Sequence, residues 1–425
     1  MKNYVKSWYT SVMRKKVLLI GNSAKEYALA KKLSESCEVF VAPGNDGIKE
    51  FAECLDIRET AAEEILEFAL ENGIDITVPV SEVSLKTNIV ELFARNNMQI
   101  FAPSQKAQEL IFDKFSAKRI MYKLGIPTPK FGIFEKQNIA SDYIKNLKNT
   151  YVIKNNSPSS SVILTSPQAS KIMLDSMFLE KFSRVLVEDY IYGTPFGFYT
   201  ITDGYKALPI GSSMLYKHSL EGDGGQLTSG MGACSPNYKL SFENEEYLMN
   251  SVIYPTLYYL EQNNANYTGV LGVNGILCED GTLKILGYQS FMQEADCAGI
   301  LNMLEEDIYN LFESCIVGSF SDEIEFIRQK NLASTSVVLC CRDTGESENT
   351  IQNLENIDED ILISFTKNVH KNKYLEYEAK QGSAMVLTAF AGTPAQSAKK
   401  VYEEIPQISF KGMKYRRDIC FMHNN

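Results

Sequence analysis

The sequence predicts a multidomain chain of mixed α/β and α+β class that opens with a doubly wound parallel sheet. Three observations carry this expectation. Strand and helix patterns alternate through residues 15–103, as a parallel sheet with crossover helices requires. After "IPTP" (126–129) the pattern changes to consecutive strands, which implies a largely antiparallel sheet. The chain has 425 residues with 44% hydrophobic content, enough at roughly 150 residues per domain for two to three cores.

The leader "MKNYVKSWYTSVMRKK" is basic with scattered apolar residues and lacks the continuous apolar stretch of a signal peptide. It reads as a loosely packed extension. "KKVLLIGNS" (15–23) is a buried strand ending in Gly21, followed by the helical "AKEYALAKKLSES" and the strand "CEVFVAP". This is a βαβ opening, with Gly21 where the first strand turns into its helix. The helix "AAEEILEFALENG", the strand "IDITVPV", a further helix and the strand "MQIFAP" continue the alternation. One helix is expected around "KAQELIFDKFSAKRIMYKLG". Strands then follow at "KFGIF", "TYVIK", "SVILTS", "RVLVEDYI", "FGFYTITDG" and "KALPIGSSM". "LYKHSLEGDGGQLTSGMGACSPN" (215–237) reads as a long polar loop, and loops of that length are usually functional or disordered. A helix (243–263), a hairpin turning at Glu279–Gly281, another helix and the strands "TSVVLCCRD" and "SAMVLTAFAG" complete the pattern, with "TPAQSAKKVYEEI" as the last helix. Residues 343–360 read as an acidic surface excursion.

Forty-two basic and 53 acidic residues give a net charge of 42 − 53 = −11, without a basic stripe. That argues against nucleic acid as a partner. No apolar run is long enough to span a bilayer, so no membrane is expected and the cytoplasm is the expected location. Nine cysteines without a C-x-x-C pair argue against a zinc site or a disulfide scaffold and for reduced, mostly buried thiols. Three histidines (218, 370 and 423) are too few for a His-rich metal site, and His218 reads as a solvated surface residue.

"TYVIKNNSPSSSVILTS" (150–166) delivers Lys154 from an apolar strand into a turn. Phosphate-holding loops are normally glycine-rich, because backbone N–H groups must approach the oxygens closely. This loop has Asn, Ser and Pro instead, so it is either an unusual cradle or the remnant of one.

"KVLLIGNSAKEYALAKKL", "VFVAPGNDG", "IDITVPVSEVSL", "IFAPSQKAQELIFDKFSAK", "LGIPTPKFGIF", "VEDYIYGTPFGFYTITDG", "TSGMGACSP" and "KYRRDIC" together resemble the phosphoribosylamine–glycine ligase (glycinamide ribonucleotide synthetase) family of the ATP-grasp superfamily. The resemblance runs in order through the chain after the leader. It implies an N-terminal extension (1–14), an N-terminal domain (15–112), an ATP-grasp domain (113–320) with a small lid (about 130–200), and a C-terminal α+β domain (330–425). It implies purine-biosynthesis chemistry, in which ATP converts the glycine carboxylate to an acyl phosphate that the amine of 5-phosphoribosylamine attacks.

Lys114 and Lys154 match lysines that contact ATP phosphates in the family, and Glu188 matches the hinge carboxylate whose segment meets the adenine. Ser159 and Ser160 stand in the phosphate loop. Gly21, Glu82, Lys217, Gly230 and Gly232 match positions around the substrates. Other positions depart from the family. The ribose carboxylate position is Pro195, and the strand that carries the magnesium ligands has Gly287 for glutamate, Gln289 for asparagine and Phe291 for arginine. Gln289 could offer one carbonyl oxygen, and Glu294 and Asp296 keep two acidic positions nearby. Ser23–Tyr27 replaces the phosphosugar run Gly-Gly-Arg-Glu-His; Val80, Ser81 and Ser84 flank Glu82; Ala384 follows Gly382 in place of arginine.

ATP is thus the implied cofactor and Mg2+ is doubtful. The first expectation is a pseudoenzyme of this family, its ligase activity lost or severely impaired, with residual nucleotide binding and a role as a binding or regulatory partner of another protein. The alternative is a working ATP-dependent carboxylate–amine ligase, on the parent substrates or on others, with a rebuilt metal site. A third is a structural subunit that binds no nucleotide and associates with an active paralogue.

Overall fold

A computed structural model describes residues 14–156, 161–179, 184–342 and 349–421. Residues 1–13 of the leader and Ser157–Ser160 lie outside the described residues, as does most of the acidic run that opens the 343–360 excursion.

The first unit is parallel. β1 (Lys16–Gly21), α1 (Ala24–Leu33), β2 (Glu38–Pro43), β3 (Glu53–Cys54), α2 (Ala62–Asn72) and β4 (Ile76–Pro79) build a sheet of order β3-β2-β1-β4. β1 pairs in parallel with both β2 and β4, and its Val17–Ile20 are fully buried. A strand buried on both faces reads as an unbroken apolar run, which is what "VLLI" shows. The short helices α3 (Glu82–Leu85) and α4 (Ile89–Arg95) follow. The expected strand "MQIFAP" is reduced to one parallel bridge, Thr77 to Ile100. Pro103 has no N–H for a ladder, and the chain turns there to bridge Tyr267 instead.

The single helix expected around residue 113 is two, α5 (Glu109–Phe112) and α6 (Lys114–Lys123). Asp113 leaves helical geometry and caps α6, its carboxylate accepting from the N–H groups of Phe115 (2.9 Å) and Ser116 (3.3 Å). β5 (Phe131–Phe134), α7 (Gln137–Lys145), β6 (Tyr151–Lys154), β7 (Val162–Leu164), α8 (Pro167–Leu179) and β8 (Val185–Asp189) form a separate four-stranded antiparallel sheet of order β5-β8-β6-β7, packed on its two helices.

The largest sheet is antiparallel and runs β13-β12-β9-β10-β11-β14-β18-β15. Its strands are β9 (Thr194–Thr202), β10 (Ala207–Leu220), β11 (Gly224–Ser235), β12 (Gly269–Leu277), β13 (Leu283–Gln289), β14 (Ala333–Cys341), β15 (Leu362–Phe365), and, beyond the small ribbon β16 (Val369–Lys371) and β17 (Tyr377–Ala379), β18 (Gly382–Ala391). The segment 215–237, expected as a loop, is the greater part of the β10–β11 hairpin, paired from Met214–Cys234 out to Leu220–Gly224. Backbone pairing, to which glycine and serine contribute no readable alternation, makes these strands. β11 also pairs with β14, so the central strands continue into the C-terminal ones without a break.

Thiol chemistry differs from expectation at one place: buried Cys234 and Cys420 form a disulfide that ties β11 to the C-terminal segment, while the other seven cysteines form none. Sequence spacing could not foresee a pair 186 residues apart. Among the described residues, no helix is long and apolar enough to cross a membrane.

Candidate functional site

A cavity of about 910 Å3 lies where the three sheets meet. The β1–α1 turn contributes Ser23 and Lys25, the β4–α3 turn Ser81 and Glu82, and α6 its first residue, Lys114. β6 and β8 add Lys154 and Glu188, the β10–β11 hairpin Lys217 and Gly230, β12 and β13 Asn274 and Gln289, and the loop after β15 Lys367.

On one side, the turn after β6 is fastened to the start of α6. Asn156 donates to the Asp113 carboxylate (3.1 Å) and accepts from the Lys114 N–H (3.0 Å), while Lys114 Nζ donates to the Asn155 carbonyl (2.8 Å). The two asparagines of the glycine-free loop therefore serve as clamps. Lys154 forms an ion pair with Glu188, and the other oxygen of Glu188 lies 3.0 Å from Lys118 Nζ. Lys118 also donates to Thr128 Oγ1 (2.5 Å) and to the Ile285 carbonyl of β13 (3.4 Å). Glu188 and Lys118 are buried. Burial works against ionising Glu188, but the ammonium groups of Lys154 and Lys118 prevail and hold its pKa below the usual range. Burial, with the charge of Lys154 adding to it, pushes Lys114 down to about 8; burial does the same to Lys118, against the attraction of Glu188.

On the other side, Ser23 and Glu26 close a capping box at the start of α1, with the Ser23 N–H donating to Glu26 Oε2 at 2.8 Å. Gly21, at φ +140°, makes this possible: a Cβ there would lie 2.2 Å from Glu26 Oε1. Gly21 is thus not on the cavity wall but shapes it from behind. Lys217 Nζ donates to the Ser229 carbonyl (2.8 Å) and to the side chain of Gln293, whose amide donates in turn to Asn274 Oδ1 (2.8 Å). Below them, fully buried Asp296 accepts from Tyr199 (2.8 Å), Ser213 (2.6 Å) and the Gln293 N–H (2.8 Å). Burial raises the pKa of Asp296 and of Glu294 and lowers that of Lys217 to about 8.

Lys114, Lys154, Glu188, Glu82, Lys217, Gly230 and Gln289 are brought together on this one cavity. Gly232 is not: it is packed against the next strand, where a Cβ would lie 2.6 Å from the Ser336 carbonyl oxygen. Ser159 and Ser160 lie outside the described residues, and Ser161 lines the cavity. His218, read as a solvated surface residue, is half-buried on the cavity wall with Nδ1 3.4 Å from the Gly225 carbonyl. Sequence reasoning missed Lys118, Asn274, Gln293 and Lys367. For Lys118 a signal existed, since a lysine four residues after Lys114 shares its helix face.

β13 is the bare wall. Gln289 lines the cavity, and Gly287, two residues earlier on the same strand face, has open space beside it: a Cβ there would meet nothing within 4 Å. Among the described residues, no three His, Cys, Asp or Glu side chains converge as a metal site.

Family models for the phosphoribosylglycinamide synthetase N domain and ATP-grasp (A) domain match residues 15–110 and 112–297. The chain is 30% identical over 419 residues to the phosphoribosylamine–glycine ligase of Neisseria meningitidis, covering 95% of this chain and 98% of that one. It is 29% identical over 414 residues to that of Halalkalibacterium halodurans, covering 95% and 96%. In fold it is similar to the phosphoribosylamine–glycine ligase of Thermotoga maritima (TM-score 0.80, 21% identity, 95% and 99% covered). It is also similar to a biotin carboxylase of Campylobacter jejuni solved as a β-γ-ATP complex (TM-score 0.73, 15% identity, 94% and 93% covered). The shared fold is the ATP-grasp fold. Ordered segments from the first strand to the C-terminal region and a cavity where the three sheets meet agree with these matches, and the chain belongs to the phosphoribosylamine–glycine ligase family.

Proposed function

We propose that the chain binds ATP in this cavity and that the parent reaction, ATP-driven joining of glycine to 5-phosphoribosylamine, is lost or severely impaired. The observation that carries the reading is β13, which lines the cavity with Leu286, Tyr288 and Gln289 and no carboxylate, while Gly287, two residues before Gln289, has no side chain and open space beside it. Magnesium in phosphoryl-transfer sites is usually held by one or two carboxylates together with the phosphates, and it neutralises charge on the transferring group. β13 supplies one amide oxygen and no carboxylate, so its donor set does not fit the ion. Lys114 and Lys154 are suited to hold the phosphates through charge-assisted hydrogen bonds, and the segment after Glu188 to border the base. Glu82, Lys217 and Gly230 are suited to a second, small-molecule ligand.

One observation favours the alternative of a working carboxylate–amine ligase. Glu294, half-buried near Lys25 and Lys367, lies on the same cavity as the nucleotide lysines, within a full-length likeness to ligases. Calorimetry with ATP, with and without Mg2+, separates the readings when joined to a product assay with glycine and 5-phosphoribosylamine. Magnesium-independent binding without product supports the proposal. Binding that strengthens with Mg2+, with product formed, overturns it in favour of the ligase. No binding up to millimolar ATP would indicate the structural subunit, and the search would turn to protein partners.

A further inference from the structure

Glu188 is shared between two lysines from different elements, and only one of them reaches the cavity. Lys154, at the end of β6, lines the cavity and pairs with one carboxylate oxygen. Lys118, in the interior of α6, is 2% exposed, does not line the cavity and stands 3.0 Å from the other oxygen. Its remaining contacts are Thr128 Oγ1 and the Ile285 carbonyl of β13. Lys118 thus joins three parts of the molecule: α6, the carboxylate of the four-stranded sheet, and β13 of the long sheet.

A buried ion pair is weak as a source of stability, because desolvation offsets most of the attraction and an apolar residue of similar volume often serves as well. The charge of Lys118 needs another reason. Two ammonium groups and one carboxylate leave the group one positive charge in excess; without Lys118, Lys154 and Glu188 would close into a neutral pair turned away from any ligand. We propose that Lys118 is a positioning residue for the nucleotide: by taking half of Glu188, it leaves Lys154 oriented on the wall with uncompensated positive charge toward a polyphosphate. In the low-dielectric wall this field is screened much less than that of a surface lysine. The inference rests on the reading of the cavity as an ATP site.

The test is calorimetry of the full chain with ATP, and competition by adenosine, for wild type, Lys118→Met and Lys118→Arg at low and high salt. The methionine variant is expected to weaken ATP roughly tenfold or more while leaving adenosine within about twofold, and to flatten the salt dependence of ATP binding. Arginine, which keeps the charge, is expected to restore most of the affinity. Near-ultraviolet circular dichroism establishes folding; should methionine not fold, Lys118→Gln, which keeps a hydrogen-bond donor without the charge, carries the same comparison. Unchanged ATP affinity, an equal fall for ATP and adenosine, or no restoration by arginine overturns the inference alone. Absence of ATP binding in the wild type overturns the reading of the cavity and this inference with it.

Discussion

Two walls of the cavity make an instructive contrast. The wall of α6, β6 and β8 carries charged residues, Lys114, Lys154 and Glu188, with Lys118 behind them. The wall of β12 and β13 keeps its strands and register, Asn274 opposite Gly287, but no carboxylate at the positions facing the cavity. The difference lies in what else each residue does. Glu188 holds two lysines in a buried cluster, and the Asp113–Asn156–Lys114 contacts fasten a turn to a helix end. Removing any of these would leave a buried charge or donor without its partner. Position 287 opens on empty space, so a carboxylate there would serve only a ligand. A charge that also secures the fold is costly to remove; a position that opens on empty space carries no such constraint.

The contrast can be broken or sharpened by experiment. Glu188→Ala is expected to have the largest effect, destabilising the chain by about 3–5 kcal/mol, because it strands two buried or half-buried ammonium groups. Urea denaturation measures this, and a loss below about 1 kcal/mol would mean that the first wall is not held by its charges. Lys154→Ala is expected to weaken ATP roughly tenfold to a hundredfold, by loss of a charge-assisted contact worth about 1.5–3 kcal/mol, and to destabilise the chain less than Glu188→Ala does, because Lys118 still compensates the buried carboxylate. An unaltered dissociation constant would place the phosphates elsewhere.

The bare wall invites the opposite experiment. Gly287→Glu, into space that a Cβ does not fill, is expected to make ATP affinity respond to Mg2+ by roughly tenfold, about 1.4 kcal/mol. If Mg2+ has no effect on the variant, the missing carboxylate is not what separates this wall from a metal-binding one. If the wild type already responds to Mg2+, the contrast itself fails.

The smallest effect expected is on pH dependence. Lys114 and Lys118, pushed down to about 8, face Lys154, Lys86, Glu82 and Glu188. A lysine is charged below its pKa, so both attract phosphate at pH 7 and lose that attraction as pH rises through about 8. ATP affinity should therefore fall severalfold between pH 7 and 9. Bound phosphate will itself resist the loss of the protons, which keeps the effect modest. A flat profile over this range would show that these two lysines do not contribute to the field at the site.

Local pattern makes much of the fold and the cavity legible in the chain itself. The unbroken "VLLIG" run announces a strand buried on both faces, and Gly21 its turn into a helix. Lys114, Lys154, Glu188, Glu82 and Lys217 are readable because strand ends and turns frame them in a recognisable order, and Gly287 because its neighbours Leu286 and Tyr288 fix its place on the strand. Other features have no local mark. The β10–β11 hairpin reads as a loop, since Ser, Gly and Thr carry no alternation when the partner strand supplies the order. Asp113 looks like one more helical residue, though it ends one helix and caps the next.

By itself the sequence determined where the chain pairs in parallel, where it turns to antiparallel strands, and which charged residue types stand at strand ends and turns, because periodicity and residue type are properties of neighbouring positions. Only the tertiary structure decided that Lys118 shares Glu188 with Lys154, that Gln293 bridges Lys217 and Asn274, and that Cys234 meets Cys420. Those contacts join residues up to 186 positions apart, and whether an ionised or polar group is compensated depends on what burial places beside it, which no stretch of chain specifies alone.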